Sequence, residues 1–245
     1  MVLLAQLSDL HLDGTARTAT RAARAVEHLR ALPTPPDALL VTGDIADHGA
    51  LAEYELAARL LDLPFPVLTC PGNHDVRAAF REGLLGEAPS DRPINRLHLV
   101  GGLAVLMCDV TVPGRDEGVL SEETREWIDE VLGGLAPGTP SVLAFHQPPV
   151  PMHHPLPDEG RLREPERLAA LVERHPGVVA VITGHAHTAA AARFAGRPLV
   201  VGPATTWTLR LPWEGPDAAD RDQPPALAYH VVKGGELTTH FRVLP

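Results

Sequence analysis

The sequence predicts an α/β fold, on three observations. Short apolar runs alternate with helix-period segments in the first part of the chain, carboxylates and imidazoles follow those runs, and the last third is mostly strand-like. At 245 residues the chain suits one large domain that buries roughly 70 to 75% of its unfolded surface. No internal repeat or linker divides it, so a single domain over 1–245 is expected.

Val2 to Leu7 reads as the first strand and ends in Ser8-Asp9-Leu10-His11. A helix follows from about Thr18 to Leu32, with Ala22, Ala25, Val26 and Leu29 on one face, and Pro33 to Pro36 closes it. Ala38 to Val41 is a second buried strand, running into Thr42-Gly43-Asp44-Ile45-Ala46-Asp47-His48-Gly49 and a helix from about Leu51 to Leu61. The third unit is the strand Pro66 to Thr69, the loop Pro71-Gly72-Asn73-His74-Asp75 and a helix at Val76 to Gly83. Gly72 permits a backbone conformation or a close approach that a Cβ would block. Parallel strands gather these three loops at one sheet edge, where α/β proteins build their sites.

Past Pro89 to Pro93 the period changes. Leu97 to Val100 and Leu103 to Cys108 read as a hairpin around Gly101-Gly102, and Asp109 ends its second strand. Ser121 caps the next helix, with Glu122 and Glu123 in its first turn and Trp127, Ile128, Val131 and Leu132 on its buried face. Ser141 to Phe145 is a strand ending at His146-Gln147-Pro148-Pro149; a Pro-rich loop from Val150 to Arg163 and a helix at about Glu166 to Arg174 follow. Val178 to Thr183 ends in Gly184-His185-Ala186-His187, and Ala189 to Phe194, Pro198 to Val201, Leu227 to Val232 and Leu237 to Val243 complete the strands. Pro212 to Pro225 has no periodicity and reads as a long surface loop or a lid.

The charge balance is acidic, with 21 Lys and Arg against 31 Asp and Glu and a net charge of -10. A nucleic-acid polymer is therefore not the expected partner, because a phosphate backbone needs a basic track. Cys70 and Cys108 end apolar runs without a C-x-x-C partner and read as buried reduced thiols. No apolar run reaches the ~20 residues of a membrane span, and the first strand has no signal-peptide flanks, so a cytoplasmic location is expected.

Collected, the strand-end loops offer Asp9 and His11, Asp44, Asn73 and His74, His146, and His185 and His187. Imidazole nitrogens with carboxylate oxygens suit a borderline divalent or trivalent metal. Asp9-x-His11 and His185-x-His187 place side chains two apart, on one side of an extended segment. His28, His98, His175, His230 and His240 fall outside these blocks and read as surface or strand residues, whereas His48, His153 and His154 lie in or beside site loops.

The blocks D-x-H, G-D-x-x-D-x-G, G-N-H-D, H-x-P-P and G-H-x-H, in that order over about residues 3 to 207, resemble the calcineurin-like metallophosphoesterase superfamily. Within it the chain looks most like the class III cyclic-nucleotide phosphodiesterases. The resemblance implies a four-layer α/β/β/α sandwich and two metal ions drawn from iron, manganese or zinc. One would be held by Asp9, His11 and His187, the other by Asn73, His146 and His185, with Asp44 bridging. It further implies catalytic roles for His74 and Asp47, where Asn73 and His74 meet the substrate, Asp47 orients the His74 ring and Asp75 supports the loop. The implied chemistry is attack of a metal-bridging hydroxide on phosphorus, with His74 assisting the leaving group.

The expected substrate is a small-molecule phosphodiester, with a cyclic nucleotide such as cyclic AMP leading. The alternatives on the same site are a nucleotide pyrophosphatase, a glycerophosphodiesterase or a broad phosphomonoesterase. An alternative of another class is a non-catalytic scaffold, which such ligand-complete loops disfavour. Related class III enzymes can form homodimers, so the resemblance allows a homodimer here, and no stretch of this chain identifies an interface. His48 stands where protein Ser/Thr phosphatases of the superfamily carry Arg, which argues against a phosphoprotein substrate.

Overall fold

The computed structural model describes residues 1–244. In chain order the elements are β1 (Val2–Leu7), α1 (Ala16–Arg30), β2 (Ala38–Thr42), α2 (Leu51–Leu60), β3 (Val67–Cys70), α3 (Arg77–Phe80), β4 (Arg96–Val100), β5 (Leu103–Met107), β6 (Gly118–Val119), α4 (Glu122–Gly134) and β7 (Ser141–Ala144). There follow α5 (Pro155–Glu159), β8 (Leu162–Arg163), α6 (Pro165–Arg174), β9 (Val178–Thr183), β10 (Ala190–Phe194), β11 (Arg197–Val201), β12 (Thr208–Leu209), β13 (Ala219–Asp220), β14 (Ala226–Lys233) and β15 (Glu236–Val243). The first sheet runs β15-β14-β1-β2-β3 and the second β10-β11-β9-β7-β5-β4. β1, β2 and β3 are mutually parallel, as are β5, β7, β9 and β11, with antiparallel neighbours at the edges.

The side-chain alternation of the strands decides the layering. Along β1, Val2 and Leu4 pack with Leu103, Val105 and Ile182 between the sheets, whereas Ala5 and Leu7 pack against Ala22, Val26 and Leu29 of α1 and Tyr54 of α2. The far face of the second sheet, with Leu106, Leu143 and Val181, packs on Ile128 of α4 and Leu168 and Val172 of α6. Helices, sheet, sheet and helices therefore stack as the four-layer α/β/β/α sandwich. Ser121 caps α4 by accepting the Thr124 N–H at 3.1 Å, as its sequence position predicts. Cys70 and Cys108 are buried and unpaired, and burial pushes both thiols up.

Three stretches differ from the expectation. The helix after the third loop is one short turn, α3, continued by a π-helical turn over Arg81–Leu85. Gly83 lets that turn press on α2, since a Cβ there would lie 2.7 Å from Tyr54 Cβ. The Pro-rich loop contains α5, which starts where the His154 side chain accepts the Leu156 N–H at 3.2 Å. Pro212 to Pro225 is not a structureless loop: Ala219–Asp220 pairs with Thr208–Leu209, and Arg210 holds Asp220 at 2.9 Å. A two-residue ladder is too short to leave a periodic sequence signal.

The inward face of β1 carries one polar residue, Gln6, fully buried. Its amide nitrogen donates to Thr42 Oγ1 at 2.8 Å and to the Thr183 carbonyl of the other sheet at 2.9 Å, while Oε1 accepts from His230 Nε2 at 3.0 Å. His230 Nδ1 lies 2.8 Å from Thr239 Oγ1, so the neutral ring is satisfied at both nitrogens. His230 is thus a strand residue, as expected, but a fully buried one. Burial drives its pKa down to about 3, against about 6.5 in the unfolded chain. Below pH 6.5 the unfolded chain accepts a proton that the native ring refuses, so this group's stabilisation is complete above pH 6.5 and declines as pH falls toward 3. The loss reaches on the order of 2 kcal/mol by pH 5. His230→Gln is expected to show a shallower fall in urea midpoint between pH 7.5 and 5 than the parent protein, and parallel slopes would contradict this account.

No helix among the described residues is long and apolar enough to cross a membrane.

Candidate metal centre

The strand ends of both sheets meet where Gly184 closes them together. A Cβ there would collide with Ser8 Oγ and lie 2.7 Å from the Thr42 carbonyl, and the Gly184 N–H donates to the His146 carbonyl at 3.0 Å. Asp9 and His11 leave β1, Asp44 leaves β2, Asn73 and His74 leave β3, His146 leaves β7, and His185 and His187 leave β9. Asp9, His11, Asp44, His185 and His187 all have positive φ, at 53°, 42°, 49°, 69° and 53°. The spacing of two therefore brings each pair together through left-handed backbone rather than through an extended segment. Such conformations cost of order 1 kcal/mol or more each for a non-glycine residue and persist where surrounding bonds over-determine them. Here the Asp9 and His11 N–H groups donate to the Gly43 and Asp44 carbonyls at 3.1 and 2.9 Å.

Ligand atoms of Asp9, His11, Asp44 and His187 lie within 4.8 Å of one another, and so do those of Asp44, His146 and His185. Asp44 belongs to both groups. Its Oδ2 is 3.4 Å from His11 Nε2 and 3.2 Å from His146 Nε2, while Asp9 Oδ1 is 3.4 Å from His187 Nε2. Asn73 Oδ1 is 3.1 Å from His185 Nδ1, which joins the amide to the second group.

The donor set fits metal. His146 Nδ1 faces the Thr42 carbonyl at 2.7 Å, His187 Nδ1 the Trp207 carbonyl at 3.1 Å, and His185 Nε2 the Pro157 carbonyl at 3.3 Å. A carbonyl oxygen only accepts, so in each ring that nitrogen carries the proton and the other presents a lone pair to the cluster. The Asp47 carboxylate does the same for His11, at 2.7 Å from Nδ1. His11 Nε2 and His187 Nε2 then face each other at 3.1 Å, close enough to share a proton or to meet at one metal ion. His146 Nε2 is buried and lacks a hydrogen-bond partner among the described residues, Asp44 lying close but outside bonding geometry.

Electrostatics agree. Burial pushes the Asp9 carboxyl up to about 6, and burial with the neighbouring His146 pushes His185 down to about 3. Burial works against the His146 imidazolium too, but Asp44 and Asp9 override it and hold it up to about 9. Despite its own burial, Asp44 stays well below the usual carboxylate range because His146 and His11 surround it. The two buried carboxylates thus draw positive charge onto His146, and a bound metal would take the place of that proton on its inner nitrogen.

Asp75 ties the loops to one another. Its carboxylate accepts from Gly72, Ala46 and Ile45 N–H at 2.8, 3.0 and 3.2 Å and from Tyr54 Oη at 3.1 Å. Gly72 meets a close approach rather than a left-handed backbone, since a Cβ on it would collide with Asp44 Oδ1 and N and lie 2.9 Å from Asp44 Cγ. Gly72→Ala is expected to displace the shared carboxylate, lowering bound metal below two equivalents and turnover by at least about 100-fold, without global unfolding. Metal analysis beside circular dichroism checks it, and full metal content with unchanged turnover would contradict it.

Asp47 sits differently from the expected role. The His74 ring is held by the Asp47 main-chain carbonyl, 2.8 Å from Nδ1, while the Asp47 carboxylate lies 3.7 Å away and points to His11. The His74 N–H donates to Asp44 Oδ1 at 2.9 Å. His48 points away, bonded to Glu53 at 2.8 Å. Neither it nor His153 nor His154 lines the cavity above the cluster, a space of about 640 Å³.

That cavity is walled by residues the sequence reading left out, including Asp116, Glu159, Trp207 and Arg221. Trp207 packs its ring 3.9 Å from that of His187, centroid to centroid. An aromatic at a strand end after Thr205-Thr206 was the available signal, and a turn-and-core role reads equally well there.

A two-sheet sandwich with a buried imidazole and carboxylate cluster at its strand ends defines a metal-binding α/β protein. The chain belongs to the calcineurin-like phosphoesterase family, whose sequence profile matches residues 2–189. It is 36% identical over 220 residues, 85% of this chain and 72% of the other, to a protein of Rhodococcus erythropolis named as a probable cyclic nucleotide phosphodiesterase. It is 32% identical over 251 residues, 98% of this chain and 90% of the other, to a protein of Enterobacter lignolyticus named a glycerophosphodiester phosphodiesterase. The crystal structure of a dimetal phosphatase from Danio rerio shares the fold, with a TM-score of 0.68 at 15% identity, covering 100% of this chain and 96% of that one. The protein is a metal-dependent phosphoester hydrolase related to the class III cyclic-nucleotide phosphodiesterases.

Proposed function

We propose that the protein is a dinuclear-metal phosphodiesterase whose leading substrate is a 3′,5′-cyclic nucleotide such as cyclic AMP. The observation that carries this reading is the pair of ligand groups sharing Asp44 on the floor of a cavity into which His74 projects. Asp9, His11 and His187 would hold one metal, Asn73, His146 and His185 the other, and Asp44 both, with iron, manganese and zinc all compatible with the mixed donors. When bound, such a pair supplies Lewis acidity toward phosphoryl oxygens and makes a water acidic enough to act as nucleophile near neutral pH.

The chain's own residues do the rest. Thr42, Trp207, Pro157 and Asp47 fix the imidazole tautomers, so the inner nitrogens need no rearrangement to bind. His74 holds Nδ1–H on the Asp47 carbonyl, which leaves Nε2 to carry a proton to the ester oxygen that departs. Its ring stands edge-on to His11, centroids 4.6 Å apart and planes at 80°, which places it beside the floor rather than in it. Asn73, next to it, would meet a phosphoryl oxygen.

The similarity to a cyclic nucleotide phosphodiesterase supports this substrate class, and the nearly full-length similarity to a glycerophosphodiesterase supports a second reading on the same site. The deciding test is turnover of manganese-loaded protein on cyclic AMP, glycerophosphoethanolamine, bis(p-nitrophenyl) phosphate, p-nitrophenyl phosphate and a nucleotide diphosphate ester, each with a chelated control. Chelator-sensitive hydrolysis with the highest kcat/KM on cyclic AMP is expected. Preference for the glycerol diester, the monoester or the diphosphate ester would move the protein to that branch, and inactivity with both metals bound would favour the scaffold.

A further inference from the structure

The two outer walls of the cavity are unlike in charge. One wall stands on His185: the Pro157 carbonyl bonds its ring, and a Cβ on Gly160 would lie 2.7 Å from its Nε2. The parallel pairing of Gly118 with Leu162 sets Asp116 and Glu117 beside that segment, and Glu159 adds a third carboxylate. The other wall stands on His187, through the Trp207 ring and carbonyl, and continues into the segment 212–225. That segment delivers Arg221, the one Arg or Lys among the described residues lining the cavity.

Arg221 is held from its main chain while its side chain is left over. Asp220 Oδ1 accepts from the Asp222 and Gln223 N–H groups at 3.0 Å each, closing a turn around residue 221. From α1, Arg17 donates to the Arg221 carbonyl and Arg21 to the Gln223 carbonyl, both at 2.5 Å. Arg210 grips Asp220 at 2.9 Å. Three other arginines thus serve the turn, whereas the Arg221 guanidinium has no hydrogen bond or ion pair to any described residue. An unpaired cation built onto the rim of an acidic cavity invites a charged ligand group.

Resting on the phosphodiesterase reading, we infer that Arg221 is a specificity-determining residue that binds the anionic diester and disfavours diesters whose organic arm is cationic. The phosphodiester is a monoanion and must enter past Asp116, Glu117 and Glu159; Arg221 offsets that repulsion and donates to a phosphate or hydroxyl oxygen of the bound ester. A cyclic nucleotide keeps its single negative charge and is favoured. Glycerophosphoethanolamine carries an ammonium group that Arg221 repels and the opposite wall attracts. Arg221 therefore sets the ratio between these two substrate types.

Arg221→Gln is expected to raise KM for cyclic AMP about 10-fold, with the loss mainly in kcat/KM, and to improve the relative kcat/KM for glycerophosphoethanolamine. Arg221→Lys should recover part of the cyclic AMP loss. Metal content and the melting temperature should match the parent protein. An unchanged KM and substrate ratio, or a fall in metal content or melting temperature that accounts for the loss, would overturn the inference. Binding of cyclic AMP by calorimetry to manganese-loaded His74→Ala, with and without Arg221→Gln, reads the same contact without turnover. If the parent hydrolyses no diester, the phosphodiesterase reading fails; weaker binding in the double variant would still support the Arg221 contact, and equal binding would overturn it.

Discussion

Asp44→Ala is expected to lose both metals together and, with them, turnover by roughly three orders of magnitude. Asp44 is the carboxylate common to the two ligand groups, with His11 and His146 nitrogens at 3.4 and 3.2 Å on either side of one oxygen. Its removal takes a ligand from each group and leaves five imidazole and carboxylate groups with less negative charge to hold two cations. A Lewis-acid contribution of several kcal/mol is then lost, and each ~1.4 kcal/mol is tenfold in rate. Metal analysis of the purified variant, beside a circular dichroism spectrum that confirms the fold, is the check. Retention of two equivalents, or loss of one metal only, would contradict the shared role. Asp44→Asn keeps an oxygen to accept the His74 N–H and so separates loss of charge from loss of loop geometry.

His74→Ala should give the opposite pattern, two metals bound and kcat lowered about 100- to 10,000-fold. The ring lies beside the cluster rather than within its two main ligand groups, and its side chain is 40% exposed, so its removal opens no core cavity. The loss should depend on the leaving group. A ribose alkoxide needs a proton as it departs, whereas p-nitrophenolate does not, so the defect on cyclic AMP should exceed that on bis(p-nitrophenyl) phosphate. Equal defects on both would remove His74 from proton transfer, and loss of metal would make it a ligand.

Much of the candidate site was legible because it is built from short loops that follow apolar strands. Asp9, His11, Asp44, Asn73, His74, His146, His185 and His187 each sit within a few residues of a strand end, where residue type and spacing report chemistry directly. The strands were legible for a related reason: buried parallel strands are near-continuous apolar runs, and Leu39, Leu40 and Val41 have little else to be. Asp9 and His11 share one ligand group and His185 and His187 lie in the two groups that meet at Asp44, yet the positive φ of these four residues was not foreseeable, since no glycine marks those positions.

What the chain order alone could not supply was the direction of individual polar groups. Asp47 turns its carboxylate to His11 and its carbonyl to His74, a choice made by the packing of the first two strand-end loops. His230 looked like any strand histidine until β14 was seated against Gln6 of β1, 224 positions away. Arg221 lay in an aperiodic stretch, and only the ladder of β12 with β13 and the grip of α1 carry it to the cavity.

The sequence by itself determined the α/β class, the positions of the main strands along the chain and the candidate metal-type residues at their ends, because burial periodicity and ligand chemistry are local properties. Only the tertiary structure decided which nitrogen of each imidazole faces inward, which oxygen two histidines share, and which residues wall the cavity. Those depend on distances between segments far apart in the chain, and local pattern carries no information about them.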